Sequence, residues 1–165
     1  MSDRIALINH GRLEQVGEAE EIYERPGTRF VAEFMGVENF FEVSCVGRSA
    51  EVTHFETATG LALWAKNSGE AAERSPATLA VRPECVRLAL DPPRPQDGPV
   101  NSLRAEVVEA IYEGGSRRWA VRLPSGERLV VRQTNSGSFL PVGEGARGVK
   151  VYLVWEPAKS LVYRR

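Results

Sequence analysis

Two cysteines and two histidines in 165 residues leave this chain poor in the side chains that hold metals or act as nucleophiles. Cys45 and Cys85 are far apart, and neither has a cysteine or histidine at metal-ligand spacing, which excludes a zinc motif. Both lie among apolar neighbours, EVSCVG and RPECVRL, the setting of buried free thiols in a reducing compartment. His10 falls in a turn cluster and His54 in an expected strand, each without a serine, cysteine or acidic partner at catalytic spacing. No glycine is followed by lysine, so the phosphate loop G-x-x-x-x-G-K-[ST] is absent and the chain is not a self-sufficient ATPase. Charge of one sign is missing too: 21 Lys+Arg stand against 22 Asp+Glu, and a net charge of -1 makes no field that draws nucleic acid or anionic lipid. No apolar run approaches the ~20 residues of a bilayer span, and the first residues carry no signal-peptide core.

What remains is the composition of a folded globular chain, 42% hydrophobic and 26% charged. The opening stretch DRIALINHGRLEQVG places Ile5, Leu7 and Ile8 before the turn cluster Asn9-His10-Gly11 and Leu13 and Val16 after it, which predicts a hairpin. A lone hairpin is not stable in water and needs cover. Glu18, Glu20 and Glu21 then crowd the start of a short helix that Arg25 closes before Pro26, as the helix dipole prefers. Thr28 caps a second helix whose expected buried face is Phe30, Val31 and Phe34, with Gly36 as its stop.

From Asn39 the helical period gives way to short β-like runs: FFEVSCV, EVTHFET, LALWA, TLAVRP, VRLAL, SLRAEVVEAIYEG, RRWAVRLP, ERLVVRQ and VKVYLVW. Proline-rich DPPRPQDGP, Asp91 to Pro99, reads as a connector. Strands this short and regular indicate a small sandwich or barrel. Alternation puts Trp119, Val121 and Leu123 on a core face opposite Arg118, Ala120 and Arg122. It likewise puts Val149, Val151, Leu153 and Trp155 opposite Lys150, Tyr152 and Val154. The segment GEGARG, Gly143 to Gly148, has the spacing of a dinucleotide-binding loop, but Pro141 precedes it and a β run follows, so it reads as a turn.

Two places offer candidate contacts. Arg82 and Glu84 flank Pro83 at a strand end, where the pair either bridges to a partner domain or forms a local surface ion pair. Gly114, Gly115 and Ser116 form a turn whose amides, with Arg117 and Arg118, either hold a small oxyanion or make a plain hairpin. No catalytic residue and no metal site is identified.

The stretch SDRIALINHGRLEQVGEAEEIYERPGTRFVAEFMGVENFFE resembles, nearly without gaps from Ser2 to Asn39, the end of the ATP-binding subunit of ABC importers of the sugar, polyamine, sulfate and ferric-iron group. LAVRPECVRL and VVEAIYEGGSRRWAVRLPSGERLVV resemble, more loosely, the transport-associated OB-type (TOBE) domain that follows the ATPase in those subunits. One departure is Gly17-Glu18-Ala19 where the family often has Gly-Thr-Pro.

The resemblance implies a mainly β fold: an ATPase-domain tail at residues 1–37, hairpin plus two short helices, then an OB-type β-barrel regulatory domain at 38–165. It implies a non-catalytic regulatory and dimerisation portion of an importer's ATP-binding subunit, because the family's phosphate loop, signature motif and switch histidine would all lie before Asp3. The fragment then needs no cofactor, and ATP and Mg belong to the parent subunit. The implied partners are a second copy, as a homodimer, and membrane-spanning importer subunits, at the cytoplasmic face of the membrane. The transported substrate is not readable, although the YEGGS turn leans toward the polyamine and iron branch. The alternative is a stand-alone small-oxyanion module of the molybdate-binding type. A third reading, a single-strand nucleic-acid binder built on Arg117, Arg118, Trp119, Arg122, Arg128 and Arg132, fails on the expected core position of Trp119, so no nucleic-acid partner is expected.

Overall fold

The computed structural model describes residues 4–67, 75–94, 100–135 and 145–164, with the side chain of Arg164 left out. Strands β1 (Ile5–Asn9) and β2 (Arg12–Gly17) form the expected antiparallel hairpin. Its turn residues His10 and Gly11 have φ of 46° and 78°, the left-handed pair whose twist matches a two-residue hairpin loop. Helices α1 (Ala19–Glu24) and α2 (Arg29–Phe34) follow. The Thr28 hydroxyl caps α2, accepting from the Val31 amide at 3.3 Å, and Gly36 ends the segment at φ 85°.

Side chains of β2 fix the corner between the helices. Gln15 donates to the Arg25 carbonyl at 3.1 Å and accepts from the Gly27 amide at 2.7 Å, while the Thr28 hydroxyl donates to Glu14 at 3.0 Å. Leu7 packs with Ile22 and Val31 beneath the hairpin. Phe34 was expected beside Val31 but is 65% exposed. The reason is that α2 is buried on two sides, Val31 toward the hairpin and Ala32 toward Val37 and Ala80, which turns Phe34 to solvent.

The rest is β: β3 (Asn39–Arg48), β4 (Val52–Thr57), β5 (Ala62–Lys66), β6 (Pro76–Val81), a 3-10 turn at Pro83–Cys85 and β7 (Arg87–Ala89). Then come β8 (Asn101–Tyr112), β9 (Ser116–Arg122), β10 (Arg128–Thr134), β11 (Lys150–Trp155), a 3-10 turn at Pro157–Lys159 and β12 (Ser160–Arg164). The second series repeats the first. Ser44 lies opposite Glu56 and Pro76 as Glu106 lies opposite Arg122 and Lys150. Val46 and Val108 are the extra residues of matching β-bulges, and buried Pro83 and Pro157 open matching turns.

Each repeat gives its last strand to the other. The sheet orders are β12-β6-β3-β4-β5 and β10-β9-β8-β11-β7, all antiparallel. Edge strands β7 and β10, and likewise β5 and β12, approach within 8 Å between Cα atoms, so each sheet curls toward a barrel without a ladder closing it among the described residues. The mainly β, OB-type expectation holds. Strand β12 was not read from the sequence: SLVYR is short and flanked by polar Ser160 and Arg164, and only its pairing with β6 makes it a strand.

One continuous core joins the sheets, with Phe41 of β3 stacked on Trp155 of β11 at 6.3 Å between centroids. Trp119, Val121 and Leu123 are buried as alternation predicts, as are Val151, Leu153 and Trp155. Val154, expected on the wet face, is buried as well, so β11 is covered on both sides at its end. Of the proline-rich connector, only Asp91 to Arg94 falls within the described residues. Of Gly143 to Gly148, the described Gly145 to Gly148 form a turn leading directly into β11, not a helix start.

Two asparagines latch the sheets together. At the first position of β3, Asn39 donates to the Val130 carbonyl at 2.8 Å and accepts from its amide at 2.7 Å. At the first position of β8, Asn101 does the same to Trp64, 2.8 and 2.7 Å. Each side chain thus acts as a one-residue strand on the edge of the opposite sheet, and both are fully buried. Replacing either by alanine strips a buried backbone N–H and C=O of their partner, at roughly 1–3 kcal/mol per group. Asn39→Ala and Asn101→Ala are each expected to destabilise by about 2–4 kcal/mol in urea unfolding. A loss below about 1 kcal/mol in both would refute the latch.

Candidate functional site

The two candidate places take different parts in the structure. Arg82 is buried, 7% exposed, and makes no ion pair with Glu84. Its guanidinium instead reaches the N-terminal helices, donating to the carbonyl of Tyr23 and, at 3.0 Å, to that of Met35. Tyr23 lies in the last turn of α1 and Met35 is the C-cap of α2, so one cation serves orphan carbonyls at the ends of both helices. Neither helix has a basic residue in its own last turn, and Arg25, expected to close α1, lies just past it as the exposed cap.

The contact has a second layer. The Arg82 guanidinium stacks on the Tyr23 ring, 3.9 Å from its centroid, and the Tyr23 hydroxyl donates to Glu84 at 2.8 Å. Arg82 and Glu84 therefore grip one tyrosine from two sides, and the Arg82-Pro83-Glu84 turn joins the helices to the β region of the same chain. The hydrogen bond to Glu84, then burial, raises the Tyr23 pKa. Beside them Tyr163 packs on the cluster of Ala32, Val37 and Ala80, and its hydroxyl has no partner among the described residues. Burial pushes the Tyr163 pKa up to about 12, against a smaller downward pull from Arg82. Cys85, on the same turn, is a half-buried free thiol that burial also pushes up, which makes it a poor nucleophile.

The turn from Gly114 to Arg118 is occupied by the chain's own groups. Asn135 donates from its side chain to the Gly114 carbonyl at 2.6 Å and from its amide to that of Gly115 at 3.0 Å; Ser116 donates to Glu113 at 3.4 Å. Arg118 pairs with Glu38 at 2.8 Å, and Arg132 lies 3.7 Å from Glu38 and 3.3 Å from Glu113. Arg117 makes no ion pair among the described residues. The turn thus fastens the entry to β3 onto β9 and β10. Asn39 and Asn101, the residues that matter most to the architecture, carried no signal in a chain read for charge and motif. The weak likeness of VRPECVRL to VWEPAKSLV, around the two prolines, was the available clue to the repeat.

Arg82→Lys leaves a charge but no planar fork able to serve two carbonyls. It is expected to raise amide exchange across residues 19–36 at least tenfold while β8, β9 and β11 stay protected; uniform exchange in both regions would refute the joint. The tyrosines set an alkaline limit. Their folded pKa values lie above the ordinary 10.0, so their contribution is complete below pH 10 and is lost as pH rises through the folded values, toward about 12 for Tyr163. Tyr163→Phe is expected to flatten the fall in stability between pH 10 and 12 in denaturant titrations, and an unchanged profile would count against it.

Comparison with known proteins agrees with this architecture. The family model described as TOBE domain matches residues 79–162, from β6 into β12. The chain is 36% identical over 163 residues to the spermidine/putrescine import ATP-binding protein PotA of Nostoc sp., covering 98% of this chain and 41% of that protein. It is 34% identical over 162 residues to the protein of the same name from Thermobifida fusca, again 98% of this chain and 41% of the relative. The chain thus spans about two fifths of the length of these curated relatives. Among solved structures, the cytoplasmic molybdate-binding protein ModG with molybdate bound matches with a TM-score of 0.63 over 78% of this chain and 97% of that one; at 15% identity the likeness is one of fold. With the matched region running through the exchanged strands of both repeats, and with import ATP-binding proteins similar to it over nearly its whole length, the chain belongs to the TOBE domain family.

Proposed function

We propose that this chain is the regulatory and dimer-forming portion of an ABC importer's ATP-binding subunit, non-catalytic by itself, the whole subunit coupling ATP hydrolysis to solute uptake. The observation that carries the reading is the outer face of the hairpin. Ile8 lies opposite Leu13 and Ala6 opposite Val16, and Ile8 and Leu13 are each 63% exposed. Four apolar side chains on a two-stranded sheet call for a further body of protein. An ATPase domain meets that need, and the relatives, at more than twice this chain's length, have room for one. ATP and Mg bind there, membrane-spanning subunits dock there, and the assembly works at the cytoplasmic face of the membrane. The names of the relatives favour a polyamine as the solute.

The oxyanion-module alternative is less favoured, because Glu38 and Glu113 already neutralise Arg118 and Arg132 beside the glycine turn. The molar mass of the chain by light scattering, across dilution and with a panel of oxyanions and polyamines, separates the readings. A dimer independent of ligand is expected. A monomer that is stabilised only by one oxyanion would overturn the proposal in favour of the sensing module.

A further inference from the structure

The two repeats carry the same surface hollow with opposite charge. In the second repeat, a hollow of about 790 Å³ is lined by Arg104, Glu106, Arg122, Lys150 and Tyr152, with Leu90 and Pro124 at its margin. In the first repeat, a hollow of about 370 Å³ lies over Glu42, Ser44, Glu56 and Pro76, with Val46 exposed beside it. Register makes these the same place: Arg122, Glu106 and Lys150 form one row across β9, β8 and β11, and Glu56, Ser44 and Pro76 the matching row across β4, β3 and β6. One row further on, Arg104 lies opposite Tyr152 and Glu42 opposite Thr78.

A packed fold demands no charge at these positions, since all face outward, and the sequence has made them opposite. Arg104, Arg122 and Lys150 against Glu106 leave a surplus of two positive charges, and none of the four is in an ion pair among the described residues. Around the other hollow, Arg29 bridges Glu33 and Glu42 at 2.8 and 2.9 Å, and with Glu56 in no ion pair among the described residues these four leave a surplus of two negative charges. Each hollow also has an exposed apolar residue beside it, Leu90 on one and Val46 on the other, 47% and 42% exposed. In a chain of net charge -1, such separation of charge onto two matching places suits oriented docking.

We propose that the cationic hollow of one copy docks on the acidic hollow of a second copy, so that the two repeats give a reciprocal, closed pair. The pair is closed when a two-fold operation relates the copies, because that operation seats both hollows at once. The inference rests on the dimer reading above and adds the surface that makes it. A nucleic-acid occupant is disfavoured by Glu106 in the middle of the cationic row and by a single aromatic ring, which Arg104 already approaches at 5.8 Å.

The test is charge reversal with mixing, read by light scattering, with melting curves as the control for folding. Arg104→Glu/Arg122→Glu and Ser44→Lys/Glu56→Lys are each expected to be monomeric where the unmodified chain is a dimer, with at least a tenfold weaker association. An equimolar mixture of the two variants restores complementary charge at both contacts and is expected to return the dimer mass. Reversed variants that keep the dimer mass would overturn the assigned surface and leave the dimer-forming function standing. Variants that dissociate, melt normally and fail to recombine would overturn the hollow-to-hollow pairing. An unmodified chain that is monomeric at every concentration would overturn both readings. If a double variant does not fold, Arg122→Glu against Glu56→Lys repeats the experiment at one matching pair of positions. Single-stranded oligonucleotide binding that is lost in Arg104→Glu/Arg122→Glu, without self-association, would also refute the proposal.

Discussion

An unpaired strand edge is the constraint on which this structure turns. Each repeat makes a curled sheet that needs one strand it does not itself place, and the neighbouring repeat supplies it: β7 to β11, β12 to β6. Of the four edge strands, β5 and β10 are pinned where Asn101 and Asn39 offer an amide in place of a backbone. A buried amide meets a strand edge well because it has both a donor and an acceptor in the spacing of a peptide group. The exchange makes the repeats interdependent. Neither sheet has its full set of strands without the other, and the core runs through both as one cluster.

The helices depend on the β region in the same physical currency. Six-residue helices are too short to be stable alone, and each ends with carbonyls that lack partners. Arg82 answers both ends at once, and its burial is tolerable because two carbonyls and an aromatic face replace its water. The helices are thereby tied to the Pro83 turn, which joins β6 and β7, strands that belong to different sheets.

The two repeats are alike inside and unlike on the surface. Inside, matching positions stay apolar because packing penalises any change of volume or polarity. Outside, matching rows have become Arg122-Glu106-Lys150 and Glu56-Ser44-Pro76. Outward-facing strand positions are free to take either charge, so folding does not dictate the difference between the hollows, whereas it does dictate the likeness of the cores.

Local rules decided much of this molecule. The His10-Gly11 turn, the Thr28 cap, the Gly36 stop and the alternation of Trp119, Val121 and Leu123 all follow from backbone preference and period, which neighbours in sequence are enough to set. Resemblance over Ser2 to Asn39 pointed to the family for the same reason: a motif is a local string. The sequence did not disclose the strand exchange, the asparagine latches, or that Arg82 caps helices some fifty residues earlier, because each pairs groups distant along the chain. Phe34 went against its periodicity because α2 is packed on two sides, which a single period does not show, and Val154 is buried where alternation alone leaves it wet. Local chemistry thus determined most elements and their turns, and only the tertiary structure made β12 a strand and decided which edges met, since an edge selects its partner by position in space.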